Sequence, residues 1–275
     1  DPSAKNPKTA GYVRHYIIDM GDCFGSVWDW NAITERLGFA YYFDPPYVAE
    51  DFLTLGIPDR PWDHARRIGR TFNYFSVNDF DPELWRGGYP NPAFGRMTEA
   101  DGAWMARILA RFTDDVVASA VAVGKYDDED TRYLTETLIS RRDTILRRYL
   151  TRLSPIANVH MQDDRLCGVD LARLTHASPD EGGSFGAVLY SGEKLRPTWT
   201  LDPQWAIGGN VCVDLRHTSL DLEAGEAIDQ SRYVVVDISN GYARGPLRVH
   251  LYDLGPKQGY RIVGIERPDD TKPPR

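Results

Sequence analysis

Cysteine is scarce: 275 residues hold only Cys23, Cys167 and Cys212, with no C-x-x-C among them. That count excludes a dense disulfide framework and a cysteine-based zinc site. One Cys167–Cys212 bridge and free thiols both remain open. Histidine pairs at ligand spacing are also missing. His15, His64, His160, His176, His217 and His250 form no HxH or HExxH, so zinc hydrolysis has no sequence support. No apolar run approaches the ~18 residues that span a bilayer. The longest, Val116 to Val123, is broken by Ser119 and flanked by Asp114, Asp115 and Lys125. A basic excess is lacking too: 32 Lys and Arg against 40 Asp and Glu leave a net charge of −8. A general nucleic-acid binder needs the opposite balance. There is no Gly-x-Ser-x-Gly elbow, internal repeat or low-complexity tract.

Apolar residues make up 42% and charged residues 26%, enough for one large domain or two ordinary ones with a real core. The pattern predicts an α+β protein, mainly helical to residue 155 and β-rich from 160 to 267, with a frayed, proline-bearing tail at 268–275. Thr98 with Asp101 is a capping box opening a helix that carries Trp104, Met105, Ile108, Leu109 and Phe112. Thr113 opens a second helix, and a third is expected from about Glu129 to Leu153. Off its apolar stripe lie Arg141, Arg142, Arg147, Arg148 and Arg152, an anion-binding face or a solvated one. A helix is also expected from Tyr47 to Leu55, stopped by Gly56 and Pro58. The segment Phe80–Phe94 holds too many breakers for a regular element. Its Trp85, Tyr89 and Phe94 are expected to anchor an ordered loop. Beyond Asp164 the period becomes two. Expected strands are Gly186–Tyr190, Pro197–Leu201, Val211–Leu215, Arg232–Ile238, Pro246–Tyr252 and Tyr260–Glu266, a small antiparallel sandwich or barrel.

The chemistry-bearing residues crowd the start. Asp1 precedes Asn6 by five positions, and thirteen further on Asp19 ends the apolar run Tyr16-Ile17-Ile18, followed by Met20-Gly21. Gly21 permits a sharp turn after a rigidly held carboxylate. An Asn amide oxygen and an Asp carboxylate are hard ligands, suited to Mg²⁺ and poor for zinc. An upstream Asp without a metal of its own can orient or deprotonate a hydroxyl nucleophile.

This arrangement resembles the protein-kinase-like fold, whose catalytic loop reads Asp-x-x-x-x-Asn and whose Asp-Phe-Gly follows about a dozen residues later. The resemblance implies that Asp1 matches the catalytic Asp, Asn6 the metal-binding Asn, and Asp19-Met20-Gly21 the Asp-Phe-Gly. ATP and Mg²⁺ are the implied cofactors. Asn6, Asp19 and Gly21 would line their site, and the phosphate acceptor is unnamed. More specifically, the chain is similar to a group of uncharacterised bacterial proteins, often exported, with a HYxxDxGxxxG segment, an FDPExW…YPNPAF stretch and an RRD run. Here these are His15–Gly25, Phe80–Phe94 and Ile139–Asp143, covering roughly residues 1 to 155. Met20 departs from Phe, no Ala-Pro-Glu follows, and the chain holds no Gly-rich phosphate loop or ATP-clamping Lys. Residues 1–155 are therefore expected to be a kinase-like C-terminal lobe, inactive without the N-terminal lobe such folds carry upstream. The resemblance also favours export.

Two other readings stand beside it. In one, the chain is a non-catalytic binding protein, a degenerate kinase scaffold whose β region recognises a carbohydrate or protein partner through Trp199, Trp205, Tyr242 and Tyr252. In the other it is a metal-dependent hydrolase using Asp19 and Asp22. Oligomeric state is not legible.

Overall fold

The computed structural model describes residues 24, 35–69, 71–78, 80–178, 184–206, 208–216, 218, 232–255 and 257–274. These combine helices with antiparallel sheets, the α+β class that the sequence predicts. The chain divides into two compact units, Asp1–Asp79 with Leu84–Pro90, and Phe80–Glu83 with Asn91–Arg275. That division does not follow the boundary expected at 155–160.

In the first unit, helix α1 (Pro45–Thr54) starts on prolines, whose missing N–H is no loss at a helix start. It ends at Leu55, which is left-handed (φ 57°). None of its residues is buried. Arg60 holds it instead, paired with Glu50 at 2.6 Å and with Asp51, its guanidinium 4.7 Å above the Tyr47 ring. A 3₁₀ turn, Pro61–His64, sets buried Trp62 edge-on to Tyr47 at 5.1 Å. Gly38 (φ +94°) exchanges backbone hydrogen bonds with Arg86, and a Cβ there would lie 3.3 Å from the Trp85 ring. Only glycine suits that backbone and leaves the indole its place.

The second unit begins with three capped helices. After the short α2 (Pro92–Gly95), α3 (Glu99–Leu109) opens on the expected box: Asp101 N–H donates to Thr98 Oγ1 at 3.3 Å, and Thr98 N–H donates to Asp101 Oδ2 at 2.9 Å. Thr113 caps α4 (Asp114–Ala122) and Asp127 caps α5 (Asp128–Tyr149). Acids fill the first turn of α5 and arginines its last, matching the helix dipole at both ends. The strands are β1 (Ile156–Gln162), β2 (Arg165–Asp170), then the short helix α6 (Leu171–Leu174), β3 (Gly186–Ser191), β4 (Arg196–Leu201), β5 (Gln204–Trp205), β6 (Asn210–Asp214), β7 (Tyr233–Ser239), β8 (Leu247–Asp253) and β9 (Tyr260–Glu266).

They form two antiparallel sheets, ordered β1-β2-β6-β5 and β4-β3-β7-β8-β9, neither closed into a barrel. One core joins them: Ile156, Leu166, Val211 and Val213 from the first meet Leu189, Val234, Val236, Val249 and Leu251 from the second. A second cluster joins helices to sheet. Ala106 of α3 and Leu146, Tyr149 and Leu150 at the end of α5 pack with Leu171, Ala172 and Ala177, and Ala157 and Val169 close it. Each fully buried leucine there contributes about 1.5–3 kcal/mol. Gly102 is required on α3, because a Cβ would come 2.4 Å from the Tyr149 ring.

Strands β1 and β2 are absent from the sequence reading. β1 does alternate, with Ala157, Val159 and Met161 less exposed than Asn158, His160 and Gln162, although its register with β2 slips between Ala157 and His160, where Asn158 takes φ 52°. Cys167, Gly168 and Leu166 are all buried, so β2 shows no alternation. The Phe80–Phe94 segment also contains one regular piece after all, because Asn91 accepts from Ala93 N–H at 2.9 Å and Pro92 opens α2. The tail, expected to fray, is tied back: Arg267 donates to the Ser154 and Ile156 carbonyls, and the Lys272 carbonyl accepts from Arg248 at 2.6 Å.

Cys167 and Cys212 face each other across β2 and β6, with Cα atoms 4.1 Å apart, and are bonded. Of the two states left open, the structure takes the bridge. Closing 45 residues, it is worth about 2–4 kcal/mol. Reducing agent, or Cys167→Ala with Cys212→Ala, should lower the unfolding free energy by that amount and move the denaturation midpoint down accordingly. An unchanged midpoint in both would mean that the thiols are free.

Candidate functional site

Asp1, Asn6, Asp19 and Gly21, with neighbouring Arg14, His15, Met20, Asp22 and Cys23, lie outside the described residues. The convergence expected of them is therefore carried by the sequence alone. Most residues from 35 to 155 are described, and the arginines among them answer one open question.

On α5, Arg142 Nη1 donates to the Phe112 carbonyl at 2.6 Å, while Nη2 reaches Asp114 and Asp143, each at 2.7 Å. It thereby bridges the end of one helix to the start of the next. Arg148 forks onto Glu99, Nη1 to Oε1 at 2.8 Å and Nη2 to Oε2 at 2.9 Å, and pairs with Glu83 as well. Arg152 joins the same two carboxylates at 3.4 and 3.5 Å. Arg141 stacks 4.6 Å over the Phe80 ring. The face is thus neither an open anion site nor a bare solvated one. It is a clasp pinning residues 80–83 and the start of α3 to the long helix. The Glu83 and Glu99 partners lie 65 and 49 residues from Arg148, beyond any local pattern.

The four aromatics proposed as a binding surface separate. Tyr242 is half-buried, and its hydroxyl donates to both oxygens of Asp170, at 2.7 and 2.8 Å. Asp170 is fully buried and also accepts from Asn240 Nδ2 and the Arg173 N–H. The Arg173 guanidinium lies 4.8 Å from the Phe185 ring and 5.1 Å from Trp205. Burial, then the Asp170 charge, pushes the Tyr242 phenol far above its ordinary range. Removing a donor from such a carboxylate costs about 1–3 kcal/mol, so this cluster is a lock between the sheets. Trp199 and Trp205 remain 47% and 44% exposed, on the edge strands β4 and β5.

One arrangement escaped the sequence. On the outer face of the second sheet, the Tyr233 hydroxyl bonds His250 Nδ1, and His250 Nε2 faces Glu266 Oε1 at 3.4 Å. Hydroxyl, imidazole and carboxylate stand in series, but His250 Nε2 makes no hydrogen bond, so the bond that orients the base of an activated nucleophile is missing. The electrostatics oppose that use, because burial and then Glu266 push the Tyr233 phenol upward. Beside it, Asp237 and Arg248 form a buried two-point pair at 2.8 Å, Arg248 also donates to the Lys272 carbonyl, and the same face carries the apolar cluster of Val235, Tyr190 and Leu195. The residues were each legible; their register, Val235 opposite His250 and Arg248 opposite Glu266, was not.

Among the described residues, no three His, Cys, Asp or Glu side chains gather in a way that could hold a metal ion. No described helix is long and apolar enough to cross a membrane. Comparison with known protein families, curated proteins and solved structures finds no match.

Arg148 first, and then Arg152 and Arg244, hold the Glu99 carboxyl below its ordinary value of 4.5. A depressed folded value means that this stabilisation is complete above the ordinary value and is lost as the pH falls through the folded one. Urea midpoints should therefore fall on acidification below about pH 4.5, and Glu99→Gln should flatten that acid limb. An equally steep limb in the variant would remove Glu99 from the clasp.

Proposed function

We propose that the chain is the C-terminal part of an ATP- and Mg²⁺-dependent phosphotransferase of the kinase-like type. One observation carries this reading: Asp1, Asn6 and Asp19-Met20-Gly21 stand in the order and spacing that such catalytic loops and metal motifs use. The donor set fits the ion, since an amide oxygen and a carboxylate are what Mg²⁺ accepts. Asn6 and Asp19 would hold the metal, and Gly21 would let the chain turn away behind it. Bound Mg²⁺ supplies charge neutralisation at the nucleotide phosphates. Asp1 accepts or orients the proton of the acceptor hydroxyl. Helices α3 to α5 are clasped to one another and to residues 80–83 by Arg148 and Arg142. In this reading they complete a kinase-like lobe, and the two packed sheets are an appended sandwich. The Cys167–Cys212 bridge favours an oxidising compartment, in keeping with export.

A second reading rests on Trp199 and Trp205, left exposed on two edge strands that the chain visits consecutively. It makes the chain a non-catalytic binder of a carbohydrate or protein partner, because rigid exposed indoles supply contact area at low entropy cost.

One titration separates the two. Full-length protein, carrying the upstream lobe that this reading requires, should bind ATP in Mg²⁺ and lose that binding in EDTA and in Asp19→Ala. Binding unchanged by Asp19→Ala would end the phosphotransferase reading. Oligosaccharide or peptide that quenches tryptophan fluorescence in wild type, but not in Trp199→Ala, would promote the second.

A further inference from the structure

Several largely buried arginines in this protein are matched to acids. Arg60, Arg142, Arg148 and Arg248, whose side chains are 8–16% exposed, each hold one or two carboxylates. Arg107 and Arg267 break the pattern. Neither has an acidic partner among the described residues. Arg267, just beyond β9, is tied by two neutral contacts, Nε to the Ser154 carbonyl at 3.1 Å and Nη2 to the Ile156 carbonyl at 2.7 Å. Arg107 stands on α3 beside Ala106, whose methyl belongs to the cluster that Ala157 closes. The helix is thereby brought against the start of β1.

Two polar atoms at this place are buried and unpartnered, Arg107 Nη1 and Ser154 Oγ, and Ser154 is 1% exposed. Burial alone pushes the Arg107 guanidinium below its ordinary range. Burial, then repulsion from Arg107, brings Arg267 down to about 10. The two cations therefore feel each other and lack a countercharge. A buried unpaired charge is costly, and a buried donor without an acceptor adds to the cost.

We propose that Arg107, Arg267 and Ser154 form a binding site for a doubly charged oxyanion of the phosphate class. Two guanidinia balance its two charges, and planar forks suit tetrahedral phosphate oxygens. The Ser154 hydroxyl donates a further hydrogen bond. The site is made by α3, the α5–β1 link and the residue after β9, so an occupant fastens helices to sheet at a place remote in sequence from Asp1–Gly21. It is independent of the phosphotransferase reading and survives that reading's failure.

Thermal melts of the full chain test it, with sodium phosphate set against sodium chloride at equal ionic strength. Phosphate should raise the midpoint saturably, and Arg107→Gln should weaken the apparent phosphate affinity about tenfold or more. In phosphate-free buffer the same variant should melt higher than wild type, the reverse of what losing a structural arginine does. A phosphate effect equal to chloride, or one unchanged in Arg107→Gln, overturns the site. Should the variant fail to fold, the ³¹P line of inorganic phosphate with wild-type protein decides: broadening that sulfate reverses supports the site, and a sharp line overturns it. Glycerol phosphate and phosphoserine in parallel melts identify the source. A lower half-saturating concentration for an ester assigns the site to a ligand's phosphate group, and a lower one for inorganic phosphate assigns it to the free ion.

Discussion

The Tyr149 ring lies where a side chain at position 102 would stand, and around it the last turn of α5 buries Leu146 and Leu150 against Ala106, Leu171 and Ala172. Much else follows from this close approach. It places α3 beside β1 and β2, so that helices and sheets share one apolar cluster instead of meeting as separate bodies. Glycine at 102 and alanines at 103 and 106 keep the approach short. Arginines at the rim of the same contact, Arg148 and Arg152, pair directly with Glu83 and Glu99.

Around that contact the polar groups follow one rule. A charge taken from water is handed several partners: Asp170 receives Tyr242, Asn240 and the Arg173 backbone, and Asp237 receives both arms of Arg248. Such pairs fix geometry more than they add stability, since desolvation offsets most of their attraction. They hold together segments far apart in sequence, including a tail that composition alone would leave loose. Arg107 and Arg267 depart from that rule, lacking an acidic partner among the described residues.

What could be read from the sequence is what is local. The Thr98–Asp101 box, the Thr113 cap and the alternation of Leu247, Val249 and Leu251 each needed a few neighbours to be seen. Strand β2 was hidden by burial on both faces, whereas β1 carries an alternation of Val159 and Met161 with Asn158, His160 and Gln162 that was there to be read. The clasp on α5 was visible as arginines but not as pairs, because its acids lie tens of residues away. Tyr242 read as an exposed aromatic, since nothing nearby announces a buried Asp170 that needs a hydroxyl. For the candidate site the position is the reverse: Asp1, Asn6, Asp19 and Gly21 are legible as a spacing, and their meaning rests on it.

The account turns on helices and sheets of the second unit being one cooperative body. Native-state hydrogen exchange at residue resolution tests this most directly. Amides of Leu146 and Leu150 should open with the same free energy, and the same denaturant dependence, as those of Val211 and Val213 in the sheet core. Exchange at the end of α5 through a separate opening, well below the free energy of the sheet, would show that the shared cluster does not bind the two together.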